Sequence, residues 1–431
     1  MSIGCPVLLP HGTASAGPRA VTSPADSREQ GSSGPVSGNP AATTFPTGIG
    51  WLGRALGIPD EWGIVLGGFW LADANIVAAG GAQPGNLGFN SVVSVGLTVD
   101  ADKLAGWRGG SFGVLFTQYD GEDVNVQAGS VMGYNGVGSV APYHRTELNE
   151  AWYLQSIVKD RLQVRIGRVL PINDFNNVLR PVTLRDEQQN IASVSGLLYT
   201  PVFINPTLLG FIPGYYNPAD GVTVNFTPTS QFYVNLGFYD GNNARGVQSA
   251  FNGPTFNNYR FNIAEAGINW LIGEGQHPGQ AAIGTWRQTG MLQSPNGISQ
   301  NGAGGIYLFG SQRVAYGVNA LVPKSSVSVF FQLGSNDSAT LPVNRYYGAG
   351  VTGFGLIGRR DRDSIGVGVA FSELNPALLD RPSELMIQGY YQAHLYASTY
   401  LQPTVSYVPT PGVSSSVPGA LAATLRLTVL F

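Results

Sequence analysis

The chain is poor in charge, in histidine and above all in cysteine. A single Cys5 among 431 residues excludes an internal disulfide framework, and four scattered His residues offer no metal-ligand spacing. Asp, Glu, Lys and Arg make up only 11% of the chain, against roughly 25% in ordinary soluble domains. The formal net charge of -3 is nearly balanced and no block of like charge occurs, so nothing marks nucleic acid as a partner. Long apolar runs are missing as well. A membrane helix needs about twenty apolar residues in a row, and the best candidate, Ile64 to Ala72, stops after nine at Asp73.

What the chain does have is glycine, 59 residues of it, aromatic residues at 11%, and a strict alternation in its last stretch. From Ala420 to Phe431 the odd positions Leu421, Ala423, Leu425, Leu427, Val429 and Phe431 are apolar, while Ala422, Thr424, Arg426 and Thr428 are small or polar. Period two over this length describes a ribbon with one oily and one wet face. About ten residues tilted by roughly 45° cross the apolar band of a bilayer as a barrel strand. A ribbon ending on Phe431 looks like the closing strand of an outer-membrane barrel, the kind recognised by the outer-membrane assembly machinery. Low charge with near-neutral hydropathy suits such a barrel, because alternation conceals the oily face from any window average.

Met1 to Ala16 lacks the basic start and the long apolar core of a secretory leader, so the true leader is expected to lie upstream of the present start. Residues 1–48, rich in Gly, Ser, Pro, Ala and Thr, are expected to form a flexible tail. A short periplasmic helical lead is expected over 49–60, with an amphipathic piece from Trp51 to Ile58 halted by Pro59.

From residue 61 to 431 the pattern predicts strands between turn signals. They fall at 62–72, 90–100, 112–119, 143–157 and 161–169, then, after a long connection from Pro171 to Tyr216, at 220–227, 231–239, 259–272, 279–288, 304–314, 326–334, 345–357, 363–372, 384–395, 398–408 and 420–431. A connection that long is uncommon unless functional, and its expected use is to fold into a lumen. The predicted fold class is all-β: a transmembrane antiparallel β-barrel of about sixteen strands, of the outer-membrane porin type, wide enough for an aqueous channel.

Wall chemistry follows from parity. Ile365, Val367, Val369 and Phe371 share an oily face, whereas Glu384, Met386, Gln388, Tyr390, Gln392 and His394 are too polar for lipid and are assigned to the lumen. Sugars present hydroxyls and flat apolar ring faces, so a sugar pore wants carboxylates, Arg, amides and an aromatic or two. The stretch richest in these is Arg145, Glu147, Glu150, Trp152, Arg165, Arg168 and Asp174, to which Asp240, Glu384 and Gln388 are added as pore-lining or sugar-contact candidates. Arg145, Glu147 and Asn149 share one parity and should face water. Glu150 and Trp152 share the other, which leaves two arrangements open: Trp152 faces lipid with Glu150 above the apolar band, or the whole row faces the lumen. Trp152 alone is named for sugar stacking, since Tyr and Trp near strand ends usually form the interfacial belt.

These residues resemble the carbohydrate-selective porins of the OprB type, from about Gly50 to Phe431. The likeness is carried by Leu104-Ala-Gly-Trp-Arg-Gly-Gly-Ser-Phe112; by Glu150-Ala151-Trp152; by Arg165-Ile166-Gly167 with Asp174-Phe175; by Phe238-Tyr239-Asp240-Gly241; by Asp363-Ser364-Ile365-Gly366-Val367-Gly368; and by Leu401-Gln402-Pro403 through Tyr407 to Pro411-Gly412. The resemblance implies a passive sugar channel in a Gram-negative outer membrane, narrowed by inward loops and charged wall residues, and it favours a lumenal Trp152. The chain departs from the family where Gln388 replaces a usual Glu and where Thr404 and Ser406 replace an Asp and a Gln, which bears on sugar preference.

The expected function is passive diffusion of sugars or polyols, with no cofactor, no metal and no chemical step. The expected partners are outer-membrane lipids, small sugars or polyols as permeants, and the assembly machinery through Phe431, in a monomer or homotrimer. A general non-selective porin and a structural outer-membrane component of polysaccharide export are the alternatives. Gly109-Gly-Ser-Phe-Gly113 matches a nucleophile elbow and Gly348-Ala-Gly-Val-Thr-Gly353 a dinucleotide fingerprint, but neither is followed by the helix that its chemistry requires.

Overall fold

A computed structural model describes residues 47–137, 143–158, 161–176, 178, 205–208, 218–242, 251–273 and 277–431. Sixteen antiparallel strands, β1 (Ile64–Ala79), β2 (Leu87–Asp100), β3 (Gly110–Asp120), β4 (Arg145–Ile157), β5 (Leu162–Val169), β6 (Ala219–Thr229), β7 (Phe232–Asp240), β8 (Arg260–Ile272), β9 (His277–Gln293), β10 (Ser299–Tyr316), β11 (Ser326–Asn336), β12 (Val343–Phe354), β13 (Ser364–Leu374), β14 (Ser383–Tyr396), β15 (Thr399–Val408) and β16 (Ala420–Leu430), close into one barrel. Each strand pairs with its sequence neighbours, and β1 pairs with β16 to shut the ring. Five strands precede the long connection and eleven follow it, as the alternation predicts. Several run further than expected, β1 to Ala79 and β10 from Ser299 to Tyr316, because the ladder continues above the apolar band where alternation no longer constrains the sequence.

Alternation sorts the two faces as expected. On β16 Leu421 and Leu425 are exposed outward, while Ala422, Thr424, Arg426 and Thr428 are buried inward. On β13 Ile365, Val367 and Val369 face out, and on β14 Glu384, Met386, Gln388, Tyr390 and Gln392 face in. The connections at the end that holds Phe431 are mostly short, and those at the other end include the long ones, which fixes the former as periplasmic. Trp107, Phe112 and Tyr153 cluster at that periplasmic end, with ring centroids 4.9–6.0 Å apart, as an interfacial belt.

Of the expected tail, residues 1–46 lie outside the described residues, and a five-residue helix, α1 (Trp51–Ala55), stands within 49–60. Backbone pairing continues past β16, since Gly68 N–H donates to the Phe431 carbonyl at 2.7 Å and Phe431 N–H to the Gly68 carbonyl at 2.8 Å.

Strand glycines here make room for rings. A Cβ on Gly113 would stand 2.2 Å from the Trp152 ring, one on Gly284 2.1 Å from Tyr307, and one on Gly267 2.3 Å from Tyr233. Each ring lies flat over a glycine of the adjoining strand. The dinucleotide-like stretch 348–353 lies wholly inside β12, where a Cβ on Gly350 would meet Phe330 at 2.3 Å.

Candidate functional site

Two extracellular connections enter the barrel and are fastened to its wall. The first joins β3 to β4 and carries α2, a helix at Val124–Ala128 whose N-cap Asp123 accepts from the Asn125 and Val126 N–H groups. Asn125 holds the return of this loop through its Oδ1, which accepts from Tyr134 N–H at 2.8 Å and Asn135 N–H at 3.0 Å. The tip then docks on Glu384 of β14. Its carboxylate accepts from Ser130 Oγ at 2.7 Å, Met132 N–H at 2.8 Å and Val131 N–H at 2.9 Å, and also from Gly412 N–H of the β15–β16 connection. Next along β14, Gln388 donates to the Tyr134 carbonyl at 3.0 Å and to Ser406 Oγ at 2.8 Å.

The far side of the same loop docks across the barrel seam. Asp73 of β1 and Arg426 of β16 are direct ladder partners and form a two-pronged ion pair, both contacts 2.7 Å, with both side chains buried. Asn135 Nδ2 donates to Asp73 Oδ2 and to Asn75 Oδ1, each at 2.8 Å. Sequence reasoning left Asp73 and Arg426 out of the site. The available signal was a lone acid breaking the apolar run of the first strand and a lone base on the wet face of the last, the two strands that closure brings together.

The second connection leaves β5. After a single 3₁₀ turn at Pro171–Asn173 it presents Asp174, Phe175 and Asn176 to the lumen. Phe175 is fully buried edge-on to Tyr239, which begins a row Tyr239, Phe261, Trp286 with successive centroids 6.5 and 6.1 Å apart. Asn176 N–H donates to Glu265 Oε2 of β8 at 2.6 Å, and Glu265 also accepts from the Tyr233 and Tyr307 hydroxyls, both at 2.8 Å. Further along, Asn205 Nδ2 donates to the Leu333 carbonyl and Asn336 Nδ2 to the Thr207 carbonyl, at 2.8 and 2.9 Å. The expectation that this connection folds into the lumen therefore holds for its described residues, and its remainder lies outside them.

Between the two loops stands the charged stretch of β4 and β5. Its odd and even residues both point inward, which no single-strand parity allows. Leu115 of β3 pairs with Glu150 while Phe116 pairs with Leu148, so Asn149 is an extra residue, a β-bulge. Below the bulge Glu150, Trp152 and Leu154 face in; above it Glu147 and Asn149 do. This settles the two arrangements left open for Trp152 in favour of the lumen. Arg145 Nε donates to Glu147 Oε2 at 3.2 Å, and its guanidinium lies 4.0 Å above the Tyr119 ring.

Glu150 accepts from Trp152 Nε1 at 2.8 Å, and Arg165 lies over the Trp152 ring, 5.8 Å from its centroid, while pairing with Asp174. Asp174 in turn accepts from Thr223 Oγ1 at 3.2 Å, and its carbonyl accepts from Asn235 Nδ2 at 2.8 Å. Exposure separates the members of this cluster. The Asp174 side chain is 23% exposed and that of Arg165 9%, whereas Glu150 is buried, at 3%. Trp152 packs against Gly113, carries Arg165 over its ring and is buried, so it supports the cluster and is closed to a stacking sugar.

Two sequence candidates stand elsewhere. Arg168 shares the outward parity of Ile166, and Asp240 that of Phe238 and Leu236. Both are nonetheless buried, because residues 251–258 lie over them at the extracellular rim. Arg168 pairs with Asp220 at 3.0 Å and donates to the Asn252 carbonyl. Asp240 accepts from Thr255 N–H at 2.8 Å and Asn242 N–H at 3.0 Å. They hold a rim loop instead of lining the lumen. Parity alone could not warn of this, since both sit where the strand has already left the apolar band.

A family model described as carbohydrate-selective porin, OprB family, matches residues 91–431. Among curated proteins, Porin B of Pseudomonas aeruginosa is 22% identical over 78% of this chain and 81% of its own length. A putative porin, QuiX, of Acinetobacter baylyi is 23% identical over 79% of this chain and 82% of its own. Among solved structures, a high-pH form of Pseudomonas putida OprB superposes with a TM-score of 0.72 at 19% identity, covering 90% of this chain and 99% of that one. This last likeness concerns the fold alone.

Proposed function

The chain belongs to the carbohydrate-selective porin family of OprB type, a carbohydrate channel of the Gram-negative outer membrane rather than an enzyme, and we propose that it selects solutes at the Arg165–Asp174 pair, between the two fastened loops. The carrying observation is the exposure gradient within the cluster: Asp174 is the most open member, Arg165 stands directly behind it, and Glu150 with Trp152 fixes the Arg165 guanidinium from below. A carboxylate beside a guanidinium offers paired acceptors and donors at one edge, the match for adjacent hydroxyls of a sugar or polyol. Contacts of this kind replace part of a solute's hydration while staying weak enough to release it. Glu384 and Gln388 serve the pore indirectly, as anchors of the first loop, as do Asp73 and Arg426.

Liposome swelling with the purified protein tests the proposal. Glucose, a disaccharide and a polyol are compared with a neutral amino acid of similar size, in the wild type and in Asp174→Asn and Arg165→Gln. Faster entry of sugars than of the amino acid, diminished in both variants, supports the reading. Selectivity unchanged in both variants moves the selecting element away from this pair, and equal rates for all solutes in the wild type point to a general porin.

A further inference from the structure

The periplasmic rim carries a feature that permeation does not use. The β12–β13 turn reads Gly355-Leu-Ile-Gly-Arg-Arg-Asp-Arg-Asp363, with Arg359, Arg360 and Arg362 all exposed. Beside it lies the β10–β11 turn, where Asn319 Nδ2 donates to the Gly355 and Gly358 carbonyls at 2.9 and 2.7 Å and Lys324 is exposed. Four cations therefore meet two carboxylates, Asp361 and Asp363. One of those acids is already committed. Asp363 takes the Arg360 guanidinium and the Tyr391 hydroxyl and accepts from His394 N–H at 2.9 Å, while Arg360 also donates to the His394 carbonyl at 2.8 Å. This network shapes the turn and leaves Arg359, Arg362 and Lys324 projecting, with no ion pair among the described residues. At the extracellular rim Arg345 pairs with Glu373 at 3.1 Å and Arg287 with Asp337 at 3.7 Å, while Arg381 is taken up by the Ser414, Ser415 and Val417 carbonyls.

Large apolar groups on the same turns and on the neighbouring β14–β15 turn are exposed beside them in sequence or topology. Leu321 is 60% exposed, Ile357 45% and Tyr396, at the β14–β15 turn, 82%. Strand direction sets the patch at the level where the apolar band gives way to periplasmic water. Unpaired cations among exposed apolar and aromatic groups at that depth match a phosphate with acyl chains beneath it, and fit neither open water nor the hydrocarbon core. We propose that this patch is a binding site for an anionic phospholipid of the periplasmic leaflet. Arg359, Arg362 and Lys324 take the phosphodiester, Tyr396 lies at headgroup depth, and Leu321 and Ile357 border the first methylenes of the chains.

The full chain, placed in nanodiscs of mixed phosphatidylglycerol and phosphatidylcholine, is released into detergent and its retained lipid measured by native mass spectrometry. The wild type is expected to retain phosphatidylglycerol in preference to phosphatidylcholine. Lys324→Gln/Arg359→Gln/Arg362→Gln should lose that preference by about a hundredfold, the scale of removing three cations near a membrane surface. Lys103→Gln/Arg108→Gln, on the β2–β3 turn, should keep it. All changes lie in exposed turns, and heat-modifiable gel mobility confirms a folded barrel. Equal retention of the two lipids by the wild type, an undiminished preference in the triple variant, or equal losses in both sets of variants each overturns the site. Displacement of the lipid by millimolar inorganic phosphate would mark a free-anion site and overturn the lipid assignment.

Discussion

Glu384 is the residue whose removal should most change the pore without touching its opening. Its carboxylate is the common acceptor for Ser130, Val131 and Met132 at the tip of the first inward loop and for Gly412 of a neighbouring loop. Hydrogen bonds to an ionised group contribute about 1.5–3 kcal/mol each, so even two of the three from the tip hold it by about 3–6 kcal/mol. Their loss shifts the docked-to-undocked ratio by about a hundredfold or more. Glu384→Ala should therefore give a barrel that remains folded, judged by heat-modifiable gel mobility, but whose single-channel conductance in planar bilayers is larger and noisier than that of the wild type. Glu384→Gln is the sharper variant. It keeps one acceptor oxygen and turns an NH₂ toward two of the four donors, so its channel should fall between the other two. A folded Glu384→Ala barrel with wild-type conductance and noise would refute the reasoning, since the loop would then hold without its anchor.

Other consequences follow from the same geometry. Arg426→Ala leaves Asp73 charged at the seam without its counter-ion and should destabilise closure by about 3–5 kcal/mol in urea unfolding from lipid vesicles, whereas Asp73→Asn/Arg426→Gln should recover much of that loss; equal losses would mean the pair contributes nothing as a pair. Gly113→Ala would place a Cβ 2.2 Å from the Trp152 ring, so it should alter the near-ultraviolet circular dichroism in the wild type but not in a Trp152→Phe background. Burial alone would push the Asp363 carboxyl up, but the Arg360 guanidinium, the Tyr391 hydroxyl and the His394 N–H outweigh it and hold the group below the usual carboxylate range. Its folded-state value is thus lower than the unfolded value of about 3.9. The stabilisation is complete above that value and is lost as pH falls through the lower folded one. The melting-temperature gap between wild type and Asp363→Asn should accordingly be constant near neutrality and shrink below about pH 4.

Barrel architecture was legible because lipid imposes it residue by residue. On β13 and β16 every second side chain must be apolar across the band, and each of those positions is found outside. The site was legible only in part, for a different reason. Bringing Glu147 and Glu150 onto one face depends on the Asn149 bulge, which exists only in the pairing of β4 against β3 and leaves no mark in β4 itself. Arg168 and Asp240 look like wall charges, yet their burial comes from a rim loop that reaches them from 251–258. Asp73 and Arg426 are 353 positions apart and meet only because the ring closes. Alternation puts Glu384 and Gln388 on the inward face of β14, where both are buried, but their contacts with the loop come from residues more than 250 positions away.

The most direct test of the account is glucose-induced closure of the ion current through single channels in planar bilayers. If the Arg165–Asp174 edge is where sugars are held, glucose should reduce the wild-type current in a saturable way, and Asp174→Asn should raise the half-saturating concentration while leaving the sugar-free conductance near that of the wild type. The same half-saturating concentration in both proteins, or no effect of glucose on either, would contradict it.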